Sequence, residues 1–134
     1  MIRRQARKVV LDCLYEIDMG REMDEVLDQW KDDNQFEFIS SFVKMVRGNL
    51  SFCDEKIAKY SKNWDLDRIA KVDKNILRMG IAEIFFSDRD IKIAINEAVE
   101  LAKKYSTERS HAFVNGILDK VAKEKQQSDM ETRK

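Results

Sequence analysis

Apolar residues recur along this chain at intervals of three and four, the period of an α-helix with one buried face. Ala6, Val9, Val10, Cys13, Leu14 and Ile17 form the first such stripe. They predict a helix from about Arg3 to Met19, with Gly20 as its stop. Met23, Val26, Leu27 and Trp30 predict a short second helix. Asn34 and Glu37 have capping-box spacing ahead of a third. Its face runs through Phe38, Ile39, Phe42, Val43 and Val46, then Leu50, Cys53 and Ile57, with Gly48 either dividing the stretch or bending it. Asp65 to Ile69 reads as a connecting turn. Helices from about Val72 to Phe86, Ile91 to Tyr105 and Ser110 to Lys123 complete the pattern, and Ser87 to Asp90 form a polar break. Gly80 falls mid-face, where glycine costs about 1 kcal/mol relative to alanine; a close helix–helix approach would justify that.

No segment alternates with the period of a strand, and no internal repeat is evident. The pattern predicts an all-α domain of about seven helices, too many for one simple four-helix bundle. Two packed helical subdomains sharing one core accommodate them. Residues 1–125 are expected to form this domain. From Glu124 on the apolar stripe is lost, so 126–134 are expected to be a frayed polar tail.

Composition narrows the function classes. The chain has 134 residues, enough for one domain with a substantial core. Charged residues make up 37%, yet the net charge is zero, so any nucleic-acid site must be a local patch. Cys13 and Cys53 sit among apolar residues and read as buried, reduced thiols. With a single histidine they are too few for a zinc site, and no metal or cofactor is expected. No apolar run has signal-peptide or membrane-span length, which predicts a soluble cytoplasmic protein.

Catalysis has little support. His111 has Ser110 beside it, but helix neighbours point about 100° apart, so they do not form a nucleophile–base pair. Ser110 reads more simply as a helix-start residue. No Gly-rich phosphate loop is present.

The N-terminal cations are more informative. Arg3, Arg4, Arg7 and Lys8 fall within one and a half turns; Arg3 and Arg7 share one face, Arg4 and Lys8 another. Cations at a helix N-terminus oppose the macrodipole, typically by about 0.3–1 kcal/mol each. An anionic partner would relieve that repulsion and could use the free N–H groups. A frayed, solvated basic start fits the spacing as well. By contrast, Glu22 to Glu37 holds seven acids against Lys31, a surface that nucleic acid should avoid. On the last helix, Phe113, Gly116 and Lys120 fall at i, i+3 and i+7 along the edge of the apolar arc. A base or ribose could stack on Phe113 while backbone approaches Gly116. Equally, Phe113 could be core and Gly116 could relieve a helix contact.

Several motifs resemble the NusB family, and together they span nearly the whole chain. They are the start Arg3-Arg4-Gln5-Ala6-Arg7 with Leu14-Tyr15 after it, and the central Asp67-Arg68, Val72-Asp73-Lys74 and Ile76-Leu77-Arg78-Met79-Gly80. The most specific are the run from Ala94 to Lys103 and the run from Phe113 to Ala122, joined through Ser110-His111. Two loop features depart from the family pattern: Asp90-Ile91 where a proline is usual before the sixth helix, and Ser106 where glycine is frequent after it.

The resemblance implies a NusB-like fold and a function. Such proteins bind the boxA element of nascent ribosomal-RNA transcripts together with NusE, a small-subunit ribosomal protein, and help RNA polymerase read through terminators. They catalyse no reaction. Carried over by position, Arg3, Arg4 and Arg7 match the arginine-rich RNA-binding start, and Lys8 extends it. Tyr15 and Phe113 match aromatic positions near the RNA, which favours the functional reading of Gly116 and Lys120. Asp73 matches an acidic position facing the protein partner, although the helical wheel places it in the apolar arc, where helix capping competes. With few cations, the isolated chain is expected to bind RNA weakly, and NusE to make assembly cooperative. Two alternatives remain. One is a detached ribosomal-RNA recognition domain, since NusB-like domains also occur fused to cytosine methyltransferases. The other is a non-catalytic helical interaction protein, such as a homodimer that hides its basic helix. The role of Arg109 stays open.

Overall fold

The computed structural model describes residues 1–62 and 66–132. Among these the chain forms seven α-helices, one short 3₁₀ turn and no strand. The helices are α1 (Arg3–Asp18), α2 (Met23–Asp28), α3 (Phe36–Gly48), α4 (Leu50–Tyr60), α5 (Lys71–Phe86), α6 (Ile91–Tyr105) and α7 (Ser110–Thr132); the 3₁₀ turn is Leu66–Arg68. Asp65, the first residue of the expected connecting turn, lies outside the described residues.

Local chemistry sets most of the boundaries. Gly20 takes φ +103°, and the Gly20 and Arg21 amides donate to the Ile17 and Glu16 carbonyls. That bond pair is a Schellman motif, which only a residue tolerant of positive φ closes cheaply. Asn49 divides α3 from α4, and its Nδ2 donates to the Met45 carbonyl at 2.8 Å. Asp90 caps α6 by accepting from the Ile93 amide at 3.2 Å. At this position a side-chain cap does what proline's fixed φ does at a helix start.

α5 is the shared centre. Every residue from Asn75 to Ile84 is buried, as befits a helix covered on all sides. It packs against α1 and α3 on one hand and α4, α6 and α7 on the other, and all seven helices contribute to one apolar core. Gly80 is the point of closest approach: a Cβ there would lie 2.6 Å from Leu118 Cδ1 on α7. This helix also carries buried polar residues that key it to its neighbours. Arg78 donates from Nε and Nη2 to Asp54 on α4 at 2.7 and 3.0 Å, and from Nη1 to Asp18 on α1 at 3.0 Å. Burial alone would lower the Arg78 pKa; the Asp54 and Asp18 carboxylates outweigh it and hold the pKa above its ordinary value.

Two boundaries differ from expectation. The Asn34–Glu37 capping box does not form. Asn34 Oδ1 instead accepts the Met1 ammonium at 2.6 Å, and Asp33 takes the Gln35 amide at 2.8 Å, so α3 begins at Phe36. A charged donor outcompetes a backbone amide for the same oxygen. In addition, α7 runs past Lys123 to Thr132. Where its apolar stripe ends, Glu124 is tied to Lys56, Lys59 and Tyr60 of α4. A Lys125–Asp129 pair at 2.8 Å supports the next turn. Residues 126–132 are exposed, so the polar tail is helical through Thr132.

Candidate nucleic-acid interface

The basic start of α1 divides between two environments. Arg3 and Arg7 turn toward α3 and α5; Arg4 and Lys8 turn toward α6. Arg3 is exposed, stacks 4.1 Å from the Phe38 ring centroid and donates to Gln35 Oε1 at 2.8 Å. Arg7 is only 6% exposed, and its guanidinium grips Glu83 through two bonds of 2.7 and 2.6 Å. Arg89 shares the same carboxylate at 3.3 Å. Arg7, expected among the RNA-binding cations, lines the edge of the groove between α1 and α6 but commits two of its guanidinium N–H groups to the buried Glu83 carboxylate. Arg7 is a structural tie between α1 and α5.

Arg4 and Lys8 open on a groove of about 600 Å³ between α1 and α6, lined also by Gln5, Glu97, Lys104 and Tyr105. Arg4 meets Glu97 at 3.3 Å through both Nε and Nη2. Lys8 pairs with Asp12 at 2.6 Å and lies 4.6 Å from the Tyr105 ring centroid. Beyond Lys8 and Tyr105 a second hollow of about 270 Å³ continues past Asp12 to Tyr15 and Val72. Tyr15 and Tyr105 are 41% and 45% exposed, and Lys8 stands over the Tyr105 ring.

The start of α7 supplies the second part. Phe113 is the shared wall of two hollows. One, of about 320 Å³, is lined by Arg68, Asp73, Thr107, Arg109 and Ser110. The other, of about 270 Å³, is lined by Tyr60, Lys62, Gly116 and Lys120. Phe113 is half-buried, whereas Gly116 and Lys120 are exposed. A Cβ at Gly116 would meet nothing within 4 Å, so this glycine relieves no helix contact and leaves its backbone accessible. The strip of Phe113, Gly116 and Lys120 therefore exists as one concave surface. Val72 lines the hollow on the α1 side and Asp73 the hollow on the α7 side, so the first turn of α5 contributes to both.

Asp73 does not face outward. It is 9% exposed and accepts the Ser106 hydroxyl at 2.5 Å and the Ser110 hydroxyl at 2.9 Å. Its two oxygens fasten the α6–α7 connection to the first turn of α5. Asp73 therefore does not cap α5: its wheel position in the apolar arc marked burial, and the hydroxyls satisfy the charge. Ser110 likewise starts α7 but spends its hydroxyl on Asp73 rather than on a cap. Ser106, at the C-terminal end of α6, supplies half of this clasp.

A chain with these elements and this surface matches the NusB family model over residues 4–123. The chain belongs to the NusB family. A curated relative, the transcription antitermination protein NusB of Anaeromyxobacter sp. (strain Fw109-5), is 45% identical over 127 residues, covering 90% of this chain and 89% of that one. Among solved structures, T. maritima NusB superposes with a TM-score of 0.80 at 37% identity, covering 92% of both chains. A structure described as antitermination factors NusB and NusE in complex with dsRNA matches with a TM-score of 0.77 at 28% identity, covering 92% of this chain and 98% of that one.

Family membership does not by itself rank the residues; their geometry does. Sequence reading missed Glu97, Tyr105 and Lys104, which line the groove from α6. Glu97 lay inside a quoted motif, but its pairing with Arg4, 93 positions away, is tertiary and left no local signal. Among the described residues, no helix is long and apolar enough to cross a membrane, and no cluster of His, Cys, Asp and Glu is placed to hold a metal. Both cysteines are buried and unpaired, and burial pushes each thiol up to about 12.

Proposed function

We propose that this chain is a non-catalytic, cytoplasmic transcription antitermination factor that binds boxA-type RNA of nascent ribosomal-RNA transcripts jointly with NusE and so helps RNA polymerase read through terminators. The observation that carries this reading is the set of hollows in two connected pairs, one running from Arg4 through Lys8 and Tyr105 to Tyr15, the other flanking Phe113 with Gly116 and Lys120. It combines cations for the phosphates with aromatic faces for unstacked bases, the requirements of single-stranded RNA recognition. Arg3 marks its outer edge beside the acidic α2–α3 region, and Arg109 stands exposed on the rim at the start of α7. Arg7 and Asp73 support the surface from within.

Two terms divide the work. Arg4, Lys8 and Lys120 supply salt-dependent phosphate attraction, with a slope of about −0.7 per phosphate neutralised on a single strand. Tyr15, Tyr105 and Phe113 supply stacking, worth roughly 1–3 kcal/mol per base. The test is fluorescence anisotropy of a boxA-like and a scrambled RNA, with and without NusE, at two salt concentrations. Tighter, sequence-dependent binding in the presence of NusE is expected, and Phe113→Ala should reduce it at both salts. Equal, weak and salt-sensitive binding to both RNAs, unchanged by NusE, would overturn the reading.

A further inference from the structure

The cations of the α1–α6 groove are not idle in the free protein. Arg4 has a carboxylate partner on the facing helix, and the character of that contact differs from its buried counterpart. Arg7 and Glu83 meet at 2.6–2.7 Å. Arg4 and Glu97 meet only at 3.3 Å, through both nitrogens. Strong charge-assisted N–H···O bonds lie near 2.7–2.9 Å, so the second pair is loose. The two side chains are also unequally placed: Arg4 is 57% exposed and Glu97 only 18%. The guanidinium thus covers the carboxylate from the solvent side.

A phosphodiester entering the groove meets this arrangement first. To take Arg4 it must draw the guanidinium off Glu97, and Glu97 then remains beside the phosphate as an unneutralised like charge. We propose that Glu97 is an affinity-setting residue, an internal competitor that occupies Arg4 until an RNA phosphate displaces it. The inference rests on the RNA-binding reading above. The competition is with the phosphate backbone, so it is independent of base sequence. It lowers RNA affinity in the isolated protein and leaves room for a protein partner to supply the missing part.

The experiment is a double-mutant cycle on Arg4 and Glu97, read by anisotropy with boxA-like and scrambled RNA. Glu97→Gln keeps the shape and removes the charge. In the wild-type background it should tighten binding about three- to fivefold at low salt, the range of an exposed ion pair, and on both RNAs. The gain should shrink as salt rises and screening weakens the pair. In the Arg4→Gln background the same change should give a clearly smaller gain, because no guanidinium is left to release and only the like-charge repulsion is removed. Glu100→Gln, which lines the same groove and pairs with Lys103 instead, is the control for simple loss of negative charge. The proposal is overturned if Glu97→Gln weakens RNA binding or leaves it unchanged. It is equally overturned if Glu97→Gln tightens binding as much without Arg4 as with it, or if Glu100→Gln reproduces the full gain. Failure of the antitermination reading would look different: wild-type protein would show no boxA preference, with or without NusE, whatever the cycle gives.

Discussion

Arg4 and Arg7 lie one helical turn apart on α1, and each faces a glutamate from a distant part of the chain, yet the two pairs do opposite things. Arg7 and Glu83 are both nearly inaccessible, at 6% and 1%. Their short bidentate contact is fixed because neither charge has water to fall back on. Arg4 and Glu97 are wet on one side and loosely joined. The same residue types thus make a structural tie in one environment and an exchangeable contact in the other. Desolvation decides which: breaking a buried pair strands a charge, whereas breaking an exposed one returns both partners to water.

The sharpest way to break this contrast is at Arg7. Arg7→Gln should destabilise the fold by roughly 3–5 kcal/mol, read as a lower midpoint in chemical denaturation. Replacing both members by apolar residues of similar volume, Arg7→Met with Glu83→Leu, should recover much of that loss, since both buried charges go together and Arg89, which loses its Glu83 contact, is 29% exposed to water. If the single change were as mild as an exposed one, the distinction would fail. Asp73→Ala comes next. It leaves the Ser106 and Ser110 hydroxyls without their acceptor and should cost about 1–3 kcal/mol. Arg4→Gln should shift stability by less than about 1 kcal/mol while weakening RNA binding, so stability and affinity separate at this residue, as they do not at Arg7.

The smallest effect sharpens the comparison from a third, half-exposed ion cluster. Burial alone would raise the Glu124 pKa; hydrogen bonds from Lys56, Lys59 and Tyr60 override it and bring it down to about 2 from 4.5. A carboxylate depressed in the folded state contributes stability that is complete above its unfolded value. That contribution is lost as pH falls from about 4.5 through about 2. Acid titration of stability should therefore show a component in this window that Glu124→Gln lacks. Its size should be modest, since solvent screens the cluster.

The helices were largely legible in the sequence because each carries an apolar stripe of the right period, and Gly20 and Gly80 announced a stop and a close approach that the structure contains. The basic α1 start and the strip of Phe113, Gly116 and Lys120 were legible too. What could not be read was which cations stay available. Arg3, Arg4, Arg7 and Lys8 look alike in one dimension, and their fates depend on Gln35, Glu97, Glu83 and Asp12, three of which are distant in sequence. Asp73 shows the same limit. Its position in an apolar arc signalled burial, but its serine partners arrive from a loop more than thirty residues on. The end of α7 escaped for a related reason: a tertiary ion cluster at Glu124 prolongs a helix whose own stripe has run out.

The clasp of Asp73 with Ser106 and Ser110 has a consequence for binding thermodynamics. The connection that aims α7 is ordered during folding, before any ligand arrives. The conformational entropy of that segment is lost once, at the stage where the whole core compensates for it, and Phe113 and Arg109 are presented on a rigid base. Binding need not order them again, so more of each contact survives as net affinity. Loosening the clasp would therefore show itself as a less favourable binding entropy, even where every RNA-contacting side chain is intact.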